Sequence, residues 1–168
     1  MTSSATLDVL IEDPAWAAFE LEVWAQQACN AALAGVNLDP AGFEISLMGC
    51  DDARIATLNT DFRGKAQSTN VLSWPAGEHT LPKGQWPALP IPTIMGETEE
   101  LGDIAIAFGV CQRESVDQDK SFSDHVRHLL VHATLHLLGF DHIHDEDAAV
   151  MEELERQILA RLGVCDPY

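Results

Sequence analysis

Positive charge is scarce in this chain. Nine Lys and Arg stand against 27 Asp and Glu in 168 residues, a formal net charge of −18 at pH 7. Affinity for nucleic acid comes largely from basic side chains that neutralise phosphates. The composition therefore excludes a protein that coats RNA or DNA by bulk charge, and any such contact has to be local or presented by a larger assembly. Long apolar runs are also missing. None reaches the roughly 20 residues that a bilayer-spanning helix needs, so no membrane partner is expected. Met1 to Asp8 holds no basic residue and no long apolar core, which argues against a secretory signal. Cysteine is sparse and scattered, and Cys29, Cys50, Cys111 and Cys165 include no Cys-x-x-Cys pair. They read as reduced thiols of a cytoplasmic protein, since a disulfide framework belongs to smaller secreted chains. Repeats, low-complexity tracts and composition breaks are absent. With 46% hydrophobic residues, residues 1–168 read as one domain with a sizeable core.

The periodicities predict an α+β order. Residues 5–11 alternate as a strand, and Asp13 with Pro14 opens a helix to about Ala34, stopped by Gly35. Trp16, Phe19, Val23 and Trp24 recur at helical steps and are expected to face the core. Phe43 to Met48 reads as a second strand, and Asp51 or Asp52 caps a helix to about Asn59. Val71 to Trp74 is a third strand, ended by Pro75, and residues 101–108 a fourth. Between them, residues 75–100 read as a long loop carrying Pro75, Pro82, Pro87, Pro90, Pro92 and Trp86. It is either functional or a tolerated surface insertion. Trp86 in this loop and Trp74 just before it suit base stacking or plain packing. A helical segment near 109–117 follows, and Ser121 or Ser123 opens an apolar helix that runs past His136. Asp145 to Leu162 is a last amphipathic helix, with Val150, Met151, Leu154, Ile158 and Leu162 inward and Gly163 as its stop. Its acidic run from Asp145 to Glu155 reads as a solvated face.

One stretch carries chemistry, His132-Ala-Thr-Leu-His-Leu-Leu-Gly-Phe-Asp-His142. Residues four apart on a helix share a face, about 6 Å apart along its axis, so His132 and His136 can bind one metal ion. A continuing helix would carry His142 roughly 9 Å further on. Gly139 tolerates the left-handed conformation that ends a helix, and lets the chain return the third imidazole. Three histidines leave a coordination position open, as in catalytic zinc sites. The spacing equals that of the metzincin metalloproteases, but those enzymes place a general-base Glu after the first His. Ala133 stands there and can take no proton. Hydrolysis of something other than a peptide is indicated.

With these residues in place, the chain resembles the YbeY family of ribosomal-RNA-maturation endoribonucleases, whose signature reads His-Gly-x-Leu-His-Leu-x-Gly-Tyr-Asp-His. Ala133 and Phe140 replace the usual Gly and Tyr, and neither change touches a ligand. A second block, Asn59 to Pro75, is similar to the family's Leu-Asn … Tyr-Arg … Thr-Asp-Val-Leu-Ser-Phe-Pro, with Asn70 for Asp and Trp74 for Phe. On the residues alone, Arg63 reads either as a phosphate-holding guanidinium or as a surface arginine paired with a carboxylate. The resemblance implies a role in activity for it. The likeness extends from about Asn59 to the closing Asp166-Pro167-Tyr168; before that only the order of elements matches.

The expected protein is thus a single α+β domain, a small mixed sheet packed with helices, whose buried central helix carries the metal ligands. One Zn2+ is expected on His132, His136 and His142, to polarise a scissile phosphate or acidify water. Asp141, Asp103 and His128 are the general-base or orienting candidates, the last also as a fourth imidazole or an RNA contact. His79, His125 and His144 are read as surface residues. The resemblance implies single-strand cleavage in maturation of the small-subunit RNA 3′ end, ribosome quality control, and small-subunit contact. The alternatives are a zinc hydrolase of a peptide or small phosphoester, and a non-catalytic assembly factor with a structural metal.

Overall fold

The computed structural model describes residues 3–65, 67–91 and 96–168; Pro92 of the proline-rich loop lies outside them. Four strands form one mixed sheet in the order β1-β2-β4-β3: β1 (Thr6–Ile11), β2 (Phe43–Cys50), β3 (Val71–Pro75) and β4 (Glu99–Ala107). β1, β2 and β4 run parallel, while β3 pairs antiparallel to β4 and forms an edge. The helices are α1 (Leu21–Gly35), α2 (Asp52–Arg63), α3 (Phe108–Asp117), α4 (Phe122–Leu137) and α5 (Asp145–Arg161). Parallel strands need crossover connections, which α1 and α2 with their flanking segments supply.

Side-chain alternation in β4 divides the core. Ile104 and Ile106 join the larger cluster with residues of α1, α4 and α5, whereas Ala105 and Ala107 pack with Cys50, Ile55 and Leu72 beneath α2. α4 is the hub, with nine of its 16 residues buried. A helix enclosed on most sides has little freedom to shift, so its histidines stand on a rigid mount.

Several sequence boundaries move. Asp13 caps a short 3-10 helix over Pro14–Ala18, and α1 starts only at Leu21. The break at Phe19 rotates the expected stripe. Trp16 is fully buried, its Nε1 donating to the Cys50 carbonyl at 3.2 Å, but Val23 is exposed and Phe19 lies in a surface aromatic cluster with Trp24, Phe108 and Phe122. Leu21, Ala25, Ala28, Cys29, Ala32 and Leu33 form the inward face instead. α2 runs four residues beyond Asn59, so Arg63 belongs to its last turn, ended by Gly64. Asp51 and Ser121 are the caps of α2 and α4. His125 is not a surface residue: it is buried between α4 and α3 and bonds Glu114 at 3.0 Å. Asn70 donates to the same Glu114 at 3.0 Å, where an aspartate would put two carboxylates together.

Among the described residues no helix is long and apolar enough to cross a membrane. Cys29, Cys50 and Cys111 are buried and Cys165 is exposed, all as free thiols. Burial pushes the Cys29 thiol up to about 11 and that of Cys50 up to about 12. The thiolate is the reactive form. A chromogenic thiol reagent should therefore titrate one cysteine per chain in the native protein and all four after denaturation. Rapid native reaction of more than one would contradict this packing.

Candidate metal centre and its cleft

α4 presents His128, His132 and His136 on successive turns of one edge. It stops at Leu137, and Gly139 follows with φ of 107°, a conformation that L side chains rarely adopt. The Phe140 amide then donates to the Leu135 carbonyl at 3.1 Å, and the Phe140 ring is buried against Trp86. This turn brings His142 back. Its ring centre lies 5.1 Å from that of His132 and 5.0 Å from that of His136. One ligand atom from each of the three lies within 4.8 Å of the others.

The tautomers follow from the partners. The Phe140 carbonyl can only accept, so His136 Nδ1, 2.9 Å away, carries the proton. Glu155 is fully buried and accepts from His132 Nδ1, from His128 Nε2 at 3.2 Å and from the Tyr168 hydroxyl. Burial alone would raise the pKa of this carboxyl, but the three hydrogen bonds and the His132 charge outweigh it and hold the pKa at about 2. When both rings are neutral, with both Nδ1 atoms donating, the Nε2 atoms of His132 and His136 face each other as lone pairs 3.0 Å apart. Two lone pairs repel at that distance unless a cation lies between them. Burial, then the neighbouring His132 and His142, lower the His136 pKa to about 4, so this imidazole is available in its neutral form. The donor set thus fits a metal ion such as zinc, which imidazole nitrogens bind in the neutral form. Carboxylate and carbonyl partners on the outer nitrogens are the usual second layer of such sites.

The histidines open into a cleft of about 940 Å³. The edge strand β3, Val71–Pro75, lines it opposite α4, Arg63 at the end of α2 adds a cation, and His79 and Leu81 come from the proline-rich loop. The first part of that loop, residues 75–86, is packed onto the fold and supplies part of the cleft wall. The Gly84 amide donates to the buried Asp147 at 2.8 Å, and Trp86 covers Phe140. His79, expected at the surface, is half-buried in this wall.

The cleft departs from the rest of the molecule in charge. Arg63 and five histidines line it, and Asp141 is its one carboxylate among the described lining residues. Arg63 has no carboxylate partner among the described residues, although the chain carries 27 acids. The scarcity of positive charge is thus offset locally. Of the other candidates, Asp141 accepts the His142 amide at 2.7 Å within the ligand turn. His128 joins the Glu155 network. Asp103 is exposed on β4 and is not among the residues that line the cleft with the histidines. Glu155 was missed in an acidic run, and Tyr168 with it. The available signal was the place of Glu155 between Met151, Leu154 and Ile158 on the inward stripe of α5.

The fold and donor set define a single-domain α+β protein with an open cleft whose three histidines could hold a metal ion. Relatives narrow this further. The family model described as Endoribonuclease YbeY matches residues 10–163, and this chain belongs to the YbeY family. Endoribonuclease YbeY of Ruegeria pomeroyi is 54% identical over 164 residues, covering 97% of this chain and 98% of that relative. The proteins of that name from Jannaschia sp. and Dinoroseobacter shibae are each 52% identical, covering 96% and 98% of this chain and 99% and 91% of theirs. The solution structure of TM1509 from Thermotoga maritima shares the fold, with a TM-score of 0.54 at 16% identity over 94% of this chain and 92% of that one.

Proposed function

We propose that this chain is a zinc-dependent endoribonuclease of the bacterial cytoplasm that cuts single-stranded ribosomal RNA, at the 3′ end of the small-subunit RNA, and serves in ribosome quality control. One observation carries the reading: the paired Nε2 atoms of His132 and His136 open into a cleft that is also lined by Arg63, which has no carboxylate partner among the described residues. Zinc held by His132, His136 and His142 would supply Lewis acidity toward the phosphate. The chain's own groups do the rest. Arg63 offers two parallel N–H bonds to phosphate oxygens and offsets charge that builds up there. Glu155 and the Phe140 carbonyl hold the imidazoles in the ligating tautomer. Asp141, the carboxylate in the cleft, is the group available to take a proton from the attacking oxygen. Ala133 lines the cleft where a peptidase carries its base, which disfavours peptide cleavage.

The net charge of −18 repels free RNA at a distance, so the natural substrate is expected to be presented by the small ribosomal subunit and its proteins. The test is cleavage of a small-subunit RNA 3′ fragment by wild type, Arg63→Ala and His136→Ala, with and without chelator, and circular dichroism to verify folding. Wild type should cut and chelation should stop it. Arg63→Ala should lower kcat by about 10²–10³-fold, and His136→Ala should leave only background. Equal cutting by all samples would reject the reading. A folded wild type that never cuts would favour a non-catalytic assembly role.

A further inference from the structure

Phe62 is a large apolar side chain left 63% exposed. Single exposed hydrophobics are ordinary, and Ile91, Val116 and Ile143 are more exposed still. Ile143 also lines the cleft, but two observations hold together only for Phe62 among these four. It lines the metal-binding cleft, immediately before Arg63, and its ring meets Trp74 edge to face, with centroids 5.2 Å apart and planes at 63°. In such a pair the ring that contributes its edge keeps its own faces uncovered. Trp74 is half-buried and packs against the small core under α2, so the pair is anchored from below. The other tryptophan of this region, Trp86, is engaged by Phe140 on the loop wall.

We propose that Phe62 and Trp74 form a stacking subsite for one unpaired nucleobase of the RNA whose phosphate Arg63 holds. This rests on the endoribonuclease reading and deepens it by giving the cleft a means of selecting single strands. A base within a duplex is already stacked and hydrogen-bonded, so its face is not available to a side chain. An unpaired base has a free face, and every base has one, so the subsite should be tolerant of sequence. A chain this acidic gains from such a contact, since stacking draws on dispersion and apolar burial, not on positive charge. Aromatic stacking contributes about 1–3 kcal/mol per base, or about 5- to 150-fold in affinity.

The test uses metal-free protein, so that binding is read apart from cutting. Fluorescence anisotropy of a labelled single-stranded oligoadenylate is followed for wild type, Phe62→Ala, Phe62→Tyr and Arg63→Ala, with an RNA duplex as competitor. Phe62→Ala should bind at least about fivefold more weakly, Phe62→Tyr should keep the wild-type affinity, and the duplex should compete poorly. Because Phe62 is exposed, Phe62→Ala should fold, which its circular dichroism will verify. Unchanged binding by Phe62→Ala, or equal competition by duplex, overturns the subsite. If wild type then still cuts RNA in a chelator-sensitive way, the endoribonuclease reading survives without it. If wild type does not bind the oligoadenylate at all, the stacking site falls outright.

Discussion

If the three histidines hold zinc as proposed, replacing Glu155 with glutamine should weaken its binding by about 10- to 100-fold, the usual effect of removing a ligand's outer hydrogen-bond partner. The carboxylate accepts from three groups, His128, His132 and Tyr168, while fully buried. An amide of the same shape offers one acceptor oxygen and turns an NH2 toward groups that themselves donate. His132 then either loses its partner or changes tautomer, and its Nε2 lone pair is no longer directed at the metal. Competition with a chromophoric chelator reads the affinity directly. Wild-type affinity in Glu155→Gln would show that His132 is oriented without it. Glu155→Leu carries the same logic further, since each buried donor left without an acceptor costs about 1–3 kcal/mol.

The second large effect is expected at Gly102, where β4 meets the edge strand. Its φ is 140°, and a Cβ there would lie 2.1 Å from the Trp74 carbonyl oxygen and 3.0 Å from the Ala76 nitrogen. Both are backbone atoms, so neither can rotate away. Gly102→Ala combines backbone strain of about 1–3 kcal/mol with an overpacking cost of similar size. That is a large share of the 5–15 kcal/mol that typically holds a domain together. Urea denaturation should show a markedly lower midpoint, with β3 displaced and the cleft distorted. A loss below about 1 kcal/mol would mean that β3 shifts with little resistance.

These effects differ in how far the sequence announces them. The three histidines and the turn at Gly139 are local, with spacing and a backbone requirement confined to 11 residues, His132–His142. The α+β order and the short mixed sheet are legible for the same reason, through alternation and helical periods. Glu155 is not, because it reaches His132 from another helix, and an acid among acids on an amphipathic segment reads as solvated. His125 is hidden likewise, since its burial depends on Glu114 of α3. The helix break at Phe19 was missed because Trp16 is drawn under the sheet end by the Cys50 carbonyl, a contact 34 residues away. Arg63 is placed in the same site as the histidines only through the family resemblance; spacing alone could not do so, because their shared cleft requires β3 to close the sheet beside α4.

Tyr168 belongs at once to the lining of the cleft and to the hydrogen bonds on Glu155. Any molecule that enters and displaces its hydroxyl leaves Glu155 with one donor fewer, and the carboxylate then pulls harder on the His132 proton, making Nε2 the stronger ligand. If the three histidines hold a metal as proposed, occupancy of the cleft and occupancy of the metal position should then be thermodynamically linked. Linkage is reciprocal, so whatever factor the guest adds to metal affinity, the metal must return to the guest. On that reading the tyrosine is the coupling element, and Tyr168→Phe should separate the two equilibria.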